Sequence, residues 1–167
     1  MCFDACYHGR QALTWTREGR VAVEDEYLGQ WSTPVHNVIE QGAVRKFAQA
    51  IGDHNPNYWD EDAAKECRYG RLLAPPTFAV SLDFGELPSG QFDFTGMIHG
   101  EQTFSYNRPL FVGETVACSV RLADRTVRKS GAASMTFYVL EQQAVASDGT
   151  VVFTARMTVI KREGVTP

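Results

Sequence analysis

The segment Glu40-Gln-Gly-Ala-Val-Arg-Lys-Phe-Ala-Gln-Ala-Ile-Gly-Asp-His-Asn-Pro-Asn-Tyr-Trp-Asp-Glu-Asp62 decides how this chain folds. Its first half places apolar residues at the spacing of an amphipathic helix, namely Val44, Phe47, Ala48 and Ile51. Gly52 follows, and glycine readily adopts the left-handed conformation that ends many helices. The segment therefore predicts one long helix that opens into a Gly-Asp-x-Asn-Pro loop, where the carboxylate of Asp53 could be held over a substrate.

Beyond this loop the sequence predicts two short helices and then long strands. One short helix is capped by Asp60, and a second begins at Pro75 and Pro76. The strand pattern then covers Met97–Tyr106, Glu114–Val127, Ala133–Val145 and Val151–Lys161. Turn-like residues separate these segments, at 111–113, 129–131 and 148–149, so the simplest topology is an antiparallel meander.

The predicted fold class is α+β. The third strand segment is apolar on both of its faces near the middle, which indicates a sheet covered on both sides, one of them by the long helix. Upstream, Val35–Ile39 is predicted as a first strand and Leu13–Val23 as a hairpin. A long antiparallel sheet wrapped around one central helix is the hotdog architecture.

Length and charge indicate one domain that does not bind nucleic acid in general. The 167 residues can bury a full core, and we divide them into an N-terminal extension, 1–27, and a hotdog domain, 28–167. The chain has 16 basic and 20 acidic residues and a pI of about 5.5, whereas nucleic-acid binding depends on concentrated positive charge. Any anionic ligand would need a local basic patch.

The four cysteines predict a reduced, cytoplasmic protein. Their spacing forms no disulfide framework, and the N-terminal residues lack an apolar stretch suited to a signal peptide or a membrane span. Cys2, Cys6 and His8 lie close together, but structural zinc usually takes four ligands and no partner pair follows. We therefore predict no metal and no cofactor.

Several motifs together resemble the MaoC-like, (R)-specific enoyl-CoA hydratase superfamily. The loop at Gly52 to Pro56 is similar to the signature of that superfamily, and the resemblance covers about Leu28 to Arg162. Further similar stretches are Leu72-Leu-Ala-Pro-Pro-Thr-Phe78, His99-Gly-Glu-Gln102, and Tyr106-Asn-Arg-Pro109 followed by Gly113-Glu114. They look most like the N-terminal MaoC-type, or fatty-acid-synthase-like dehydratase, group, although Asn107 stands where that group commonly has histidine. The resemblance also implies the hotdog fold.

The resemblance implies a catalytic site of which this chain has only part. Catalytic relatives use Asp, His and a glycine backbone N–H, and Asp53 matches the first of these. Tyr58 stands where the histidine belongs, and a tyrosine with a pKa of about 10 is a poor acid near neutral pH. Pro76 stands where the glycine belongs, and proline has no N–H to donate to an oxyanion. The dyad is therefore incomplete, as in related dehydratase and steroid-enoyl-CoA hydratase subunits that pair with a complete MaoC-type subunit.

Other residues are candidates for contact with the substrate, each with a structural alternative. His54 could replace the missing acid, although its side chain should point away from Asp53. Asp53 and Asn55 could contact substrate or only brace the turn. The remaining candidates are Tyr58, Pro76 and Thr77; Phe84, Phe92 and Phe94, as tunnel lining or as anchors of a surface loop; and Arg108 and Arg128, as ligands of CoA or carrier-protein phosphates or as ordinary surface cations.

Three functional hypotheses follow. The first is an acyl-thioester-binding subunit of an enoyl-CoA hydratase or 3-hydroxyacyl dehydratase in fatty-acid or steroid side-chain metabolism, in a homodimer or with a catalytic MaoC-type partner. The second is a self-sufficient homodimeric hydratase or thioesterase that uses Asp53 with His54. The third is a non-enzymatic acyl-CoA binding protein. The sequence leaves open the acyl chain, linear or steroid, and whether CoA or a carrier protein bears it.

Overall fold

A computed structural model describes residues 27–90, 92–130 and 133–163. Apart from Tyr27, the predicted N-terminal extension lies outside these residues, and so does the predicted hairpin at Leu13–Val23. The described residues form a five-stranded antiparallel sheet together with two α-helices and two 3-10 helices. This is the predicted α+β hotdog fold.

The five strands agree closely with the predicted segments. They are β1 Val35–Val38, β2 Met97–Tyr106, β3 Thr115–Ser130, β4 Ala133–Ala146 and β5 Val151–Glu163. The last three strands are the longest. Near their middle, most buried side chains alternate with less buried ones, as in a sheet with one face on the core.

The topology differs from the predicted meander. The strand order is β1-β3-β4-β5-β2, so β2 pairs with β5 at one edge instead of with β3. Within the described sheet, hairpins therefore join β3 to β4 and β4 to β5. Residues 111–113 lie in the connection that leads from β2, at one edge, across the sheet to β3. The prediction was wrong because turn residues mark where a strand ends, whereas its partner is set by packing of the whole sheet.

The helices begin and end where the sequence indicates. The long helix is α1, Gln41–Ala50, and it is followed by Gly52 at φ 70°. The second is α2, Glu61–Glu66, whose first N–H groups bond to the Asp60 carboxylate. Short 3-10 helices cover Pro56–Tyr58 and Pro76–Ser81. The helix predicted after Pro75 is therefore present, but with the tighter 3-10 winding.

One face of the sheet builds the core and the other carries charge. Val44 and Ala48 of α1 are fully buried in the same cluster as the inward residues of the sheet, such as Phe153. On the opposite face Glu141 accepts hydrogen bonds from Arg121, at 2.7 and 2.9 Å, and from Arg156 at 2.9 Å. This second face is covered in part by the segment before β1, since Trp31 stacks on the Arg121 guanidinium at 4.6 Å and Ser119 is 2% exposed.

Candidate active site

The Asp53 side chain braces the loop that follows α1. The Asp53 N–H donates to the Ala48 carbonyl at 2.9 Å, which fixes the start of the loop on the last turn of the helix. The Asn55 N–H then donates to Asp53 Oδ1 at 3.1 Å, and the Asn57 N–H donates to Asn55 Oδ1 at 3.1 Å. Two successive turns of this kind hold the half-buried carboxylate in one position.

Tyr58 completes this cluster from the protein interior. Its side chain is buried, with 6% of its surface exposed. Burial, followed by the charge of Asp53 and a hydrogen bond with its carboxylate, raises the pKa of Tyr58, while a hydrogen bond with Asn55 acts in the opposite direction. The phenol therefore stays protonated at neutral pH and holds Asp53 as a hydrogen-bond donor.

His54 lies apart from the Asp53 carboxylate. Its ring packs edge-on against Trp59, with centroids 6.5 Å apart. Together with Arg45 and Gln49 these two side chains line a cleft of about 210 Å³. In the described part of the chain no hydrogen bond joins His54 to Asp53. The structure thus joins Asp53, Asn55 and Tyr58 and leaves His54 outside the group.

Pro76 lies in a second cleft, of about 310 Å³. It opens the 3-10 helix of Pro76–Ser81, and its carbonyl accepts a hydrogen bond of 2.6 Å from the Tyr106 hydroxyl. Burial raises the pKa of Tyr106 to about 12, so this hydroxyl remains a donor. Pro76 and Thr77 are exposed at the rim, where Pro76 offers a carbonyl but no N–H.

Arg108 also lines the second cleft, but its guanidinium is already engaged. It forms a double hydrogen bond to the Glu114 carboxylate, at 3.0 and 2.8 Å, and donates to the Pro109 carbonyl at 2.9 Å. Glu114 in turn accepts from the Phe111 N–H at 2.7 Å. These contacts clamp the connection between β2 and β3, which gives Arg108 a structural task.

The three candidate phenylalanines take different positions. Phe84 is a core residue, 8% exposed, and its ring contacts Phe153 at 6.4 Å between centroids. Phe92 packs against Tyr138 at 5.2 Å and against Phe94 at 4.8 Å, and Phe94 is 49% exposed. Phe92 and Phe94 are therefore the more accessible of the three, but they line neither of the two clefts.

Arg128 lies far along β3, beyond the bulge after Leu122. It pairs with Met135 in β4, and its guanidinium lies over the Phe137 ring at 5.2 Å. It lines neither the cleft that contains His54 nor the cleft that contains Pro76. The two arginines proposed from the sequence are therefore not brought together.

Tyr106 and Glu114 are the site residues that sequence reasoning did not assign. Both belong to motifs that were noted only as part of a resemblance. A usable signal was present for Glu114, since it follows Arg108 by six residues across a Gly113 turn, and a half-buried cation usually has a partner. For Tyr106 the sequence gives no indication that its hydroxyl would meet the Pro76 carbonyl.

The described residues contain no group of three or more His, Cys, Asp or Glu side chains placed to hold a metal ion. Cys2, Cys6 and His8 lie outside them. None of the described helices is long and apolar enough to cross a membrane.

One long helix against a long antiparallel sheet, with an Asp-bearing loop after that helix, is the hotdog fold, which solved MaoC-like dehydratase structures share. The family of FAS1-like dehydratase domain regions matches residues 26–155. The chain belongs to this family.

Similar sequences occur in Thermobifida fusca and Saccharopolyspora erythraea. A UPF0336 protein of Thermobifida fusca is 37% identical over 111 residues, which cover 62% of this chain and 73% of that protein. A UPF0336 protein of Saccharopolyspora erythraea is 32% identical over 136 residues, 78% of this chain and 84% of that protein.

Solved structures share the fold at low sequence identity. The ChsH1-ChsH2 complex of Mycobacterium tuberculosis has a TM-score of 0.68 at 21% identity, covering 83% of this chain and 87% of that chain. The HadBC (3R-hydroxyacyl-ACP dehydratase) complex of the same organism has a TM-score of 0.65 at 22% identity, covering 81% and 97%. The (R)-hydratase of A. caviae has a TM-score of 0.61 at 22% identity, covering 79% and 94%.

Proposed function

We propose that this chain is the acyl-thioester-binding subunit of a cytoplasmic enoyl-thioester hydratase or 3-hydroxyacyl dehydratase, and that a MaoC-type partner supplies the catalytic dyad. The observation that carries the proposal is the state of Asp53. Its carboxylate accepts the Asn55 N–H and lies beside the buried, protonated phenol of Tyr58, which is too weak an acid to donate a proton at neutral pH.

The chemistry explains why this arrangement is insufficient alone. Hydration of a trans-2-enoyl thioester forms a C–O bond from water to C3 and a C–H bond at C2. A base must take a proton from the water, an acid must give one to C2, and a donor must stabilise the charge that develops on the thioester oxygen. Asp53 can serve as the base, but the protonated Tyr58 is too weak an acid.

The oxyanion position is also incomplete. The residue that should donate an N–H is Pro76, and its free backbone group is a carbonyl, already bonded to Tyr106. The loss of each of these two contributions costs on the order of 100-fold in rate, so the chain alone should bind acyl thioesters but hydrate them very slowly.

The solved relatives support assembly with a second subunit. Two structures with this fold, HadBC and ChsH1-ChsH2, are complexes of two differently named subunits, and HadBC is a 3R-hydroxyacyl-ACP dehydratase. A subunit without an acid and an oxyanion donor fits the role of a non-catalytic member in such a pair.

The test compares the purified chain with the same chain co-purified with a MaoC-type subunit that carries a full Asp/His motif. Calorimetry with hexanoyl-CoA should show binding by the chain alone, whereas the loss of enoyl absorbance from crotonyl-CoA should need the pair. Asp53→Asn in this chain should leave the activity of the pair within about threefold, whereas Asp→Asn in the partner should abolish it.

The proposal fails if the chain alone turns over crotonyl-CoA at a few per second and Asp53→Asn removes that activity. Such a result would establish a self-sufficient enzyme. Binding of hexanoyl-CoA without activity in any pairing would instead leave a binding protein.

A further inference from the structure

The cleft that contains Pro76 is lined by a second arginine besides Arg108. This is Arg68, which follows α2 and lines the cleft together with Tyr69 and Tyr106. Its guanidinium is exposed and lies over the Tyr69 ring at 4.5 Å. One cleft therefore contains both the exposed Arg68 and Pro76. Pro76 stands where the family resemblance implies the glycine that binds the thioester oxygen.

The positive charge of Arg68 is not neutralised locally. Arg68 has no acidic partner among the described residues, whereas the neighbouring Lys65 is paired with Asp62 at 2.9 Å. Arg108, which lines the same cleft, is balanced by Glu114. Arg68 is therefore the lining cation that is available to an anionic ligand, in a chain whose net charge is −4.

The aromatic residues beneath Arg68 hold it at the rim. The Tyr69 ring contacts Phe111 at 5.8 Å between centroids. A second exposed arginine, Arg71, lies over the other side of this pair, 4.4 Å from the Phe111 centroid. Stacking on aromatic rings orients both guanidinium groups. Arg71 also donates to the Val112 carbonyl at 3.4 Å, whereas Arg68 keeps its N–H groups for a phosphate, which a stacked guanidinium is suited to bind.

We propose that this cleft binds the phosphopantetheine arm of the acyl thioester, with the phosphate on Arg68 and the thioester end near Pro76. This assignment rests on the function proposed above and names the site by which the ligand is held. Arg71 adds positive charge beside the phosphate. Arg68 thus takes the phosphate-binding role for which Arg108 and Arg128 were candidates. Arg108 is bonded to Glu114, and Arg128 lies outside the cleft.

The size of the cleft fits an arm better than a whole nucleotide. Its volume of about 310 Å³ is at the lower end of the range of about 300 to 1,000 Å³ for small-molecule sites. CoA and acyl carrier protein share the phosphopantetheine group, so either source presents the same chemistry to Arg68. A CoA nucleotide or the carrier protein itself would remain outside the cleft.

The experiment measures dissociation constants by calorimetry for hexanoyl-phosphopantetheine and hexanoyl-pantetheine, which differ only in the phosphate. Wild type should prefer the phosphorylated ligand, and Arg68→Gln should weaken that ligand by about 10-fold, the loss expected for a charge-assisted hydrogen bond. Hexanoyl-pantetheine should bind both proteins equally. Arg68→Lys, which retains the charge, should recover part of the loss.

Arg128→Gln is the matched control, because Arg128 is also an exposed arginine stacked on an aromatic ring. It should bind both ligands as wild type does. An equal loss in Arg128→Gln, or no loss in Arg68→Gln while wild type binds, would overturn this site and leave the proposed function standing. A wild type that binds neither ligand would overturn both.

The two sources of the arm are separated with hexanoyl-CoA and hexanoyl-acyl carrier protein. The source that binds more tightly than hexanoyl-phosphopantetheine supplies the arm. Arg68→Gln should also weaken binding of that source. If Arg68→Gln weakens binding of neither hexanoyl-CoA nor hexanoyl-acyl carrier protein, the result counts against the site.

Discussion

The protonated phenol of Tyr58 holds the carboxylate of Asp53, and both side chains belong to the loop that follows α1. A catalytic aspartate needs a partner that can release a proton at the pH of the reaction. Here the partner is buried and its pKa is raised, so the contact stabilises the loop and does not assist proton transfer.

Replacing Tyr58 and Pro76 together should create hydration activity. Tyr58→His supplies a group with a pKa near neutrality, and Pro76→Gly supplies a backbone N–H while keeping the carbonyl that Tyr106 bonds. We expect the double variant to hydrate crotonyl-CoA faster than either single variant, because the two changes complete different parts of one transition state. The loss of enoyl absorbance measures the rate.

The control for this experiment adds Asp53→Asn to the double variant, which should remove the gained activity. Pro76→Gly should lower the free energy of unfolding by roughly 1 kcal/mol, since glycine frees the unfolded chain, and a melting curve verifies that the variant is folded. A folded double variant that binds hexanoyl-CoA but shows no Asp53-dependent hydration would contradict the placement of Asp53 over the substrate.

Alkaline pH should lower the free energy of unfolding, because the Tyr106 hydroxyl and the Cys118 thiol have raised pKa values in the folded state. Burial raises the pKa of Tyr106 to about 12, from about 10 in an unfolded chain. The folded state therefore binds this proton more tightly, and the resulting stability is present below about pH 10 and lost as the pH rises to about 12. The Cys118 thiol, raised to about 12 by burial and then by the charge of Asp83, acts in the same direction.

Denaturant unfolding at several pH values tests this expectation. Tyr106→Phe should be about 1 kcal/mol less stable than wild type at pH 8, because the bond to the Pro76 carbonyl is lost. This difference should shrink as the pH approaches 12. Cys118→Ala should remove the part of the decline that begins near pH 9. If the free energy of unfolding of Tyr106→Phe falls between pH 10 and 12 as steeply as that of wild type, ionisation of Tyr106 does not cause the loss of stability.

The Arg108–Glu114 pair should contribute more stability than a surface pair of similar geometry. Its side chains are 29% and 14% exposed, and Glu114 also accepts from the Phe111 N–H. We expect Arg108→Ala to lower the free energy of unfolding by about 2 kcal/mol, since a half-buried carboxylate loses its partner. Lys65→Ala is the matched control: its pair with Asp62 is 64% and 94% exposed, and its loss should cost less than about 0.5 kcal/mol. Equal effects in thermal melts would contradict a structural role for Arg108.

The protein should assemble beyond one chain. β2 is at the end of the sheet order, and an exposed edge strand of this length pairs readily with another chain. Light scattering at micromolar concentration should give at least twice the 18.6 kDa of one chain. A mass that stays at one chain as the concentration rises would count against assembly and against a shared acyl site.

The local elements could be predicted from sequence because their signals are local. Helical spacing and Gly52 located α1, and the Asp60 carboxylate located α2. The path of β2 could not be predicted, since its pairing with β5 joins residues some fifty positions apart and leaves no mark in either segment. A segment rich in turn residues, such as the one that ends at Gly113, can connect two strands that are not neighbours as well as two strands of a hairpin.

For the candidate site, residue types could be predicted but partners could not. Asp53 was noted from its motif, yet whether its carboxylate braces the turn is decided by where the Asn55 N–H lies. Arg108 was a candidate phosphate ligand or an ordinary surface cation, because the sequence shows its charge and not the Glu114 carboxylate against it. Arg68 received no attention, since only the fold places it on the same cleft as Pro76.

The pairing of β2 with β5 also sets the order in which the protein can be completed during synthesis. Residues 97–106 leave the ribosome well before residues 151–163, which form the strand that they pair with in the described sheet. Because domains are made from the N-terminus, β2 has an open edge while β3 and β4 form their hairpin. A chain truncated before Val151 would therefore lack β5 and expose the unpaired β2 to aggregation and to chaperones.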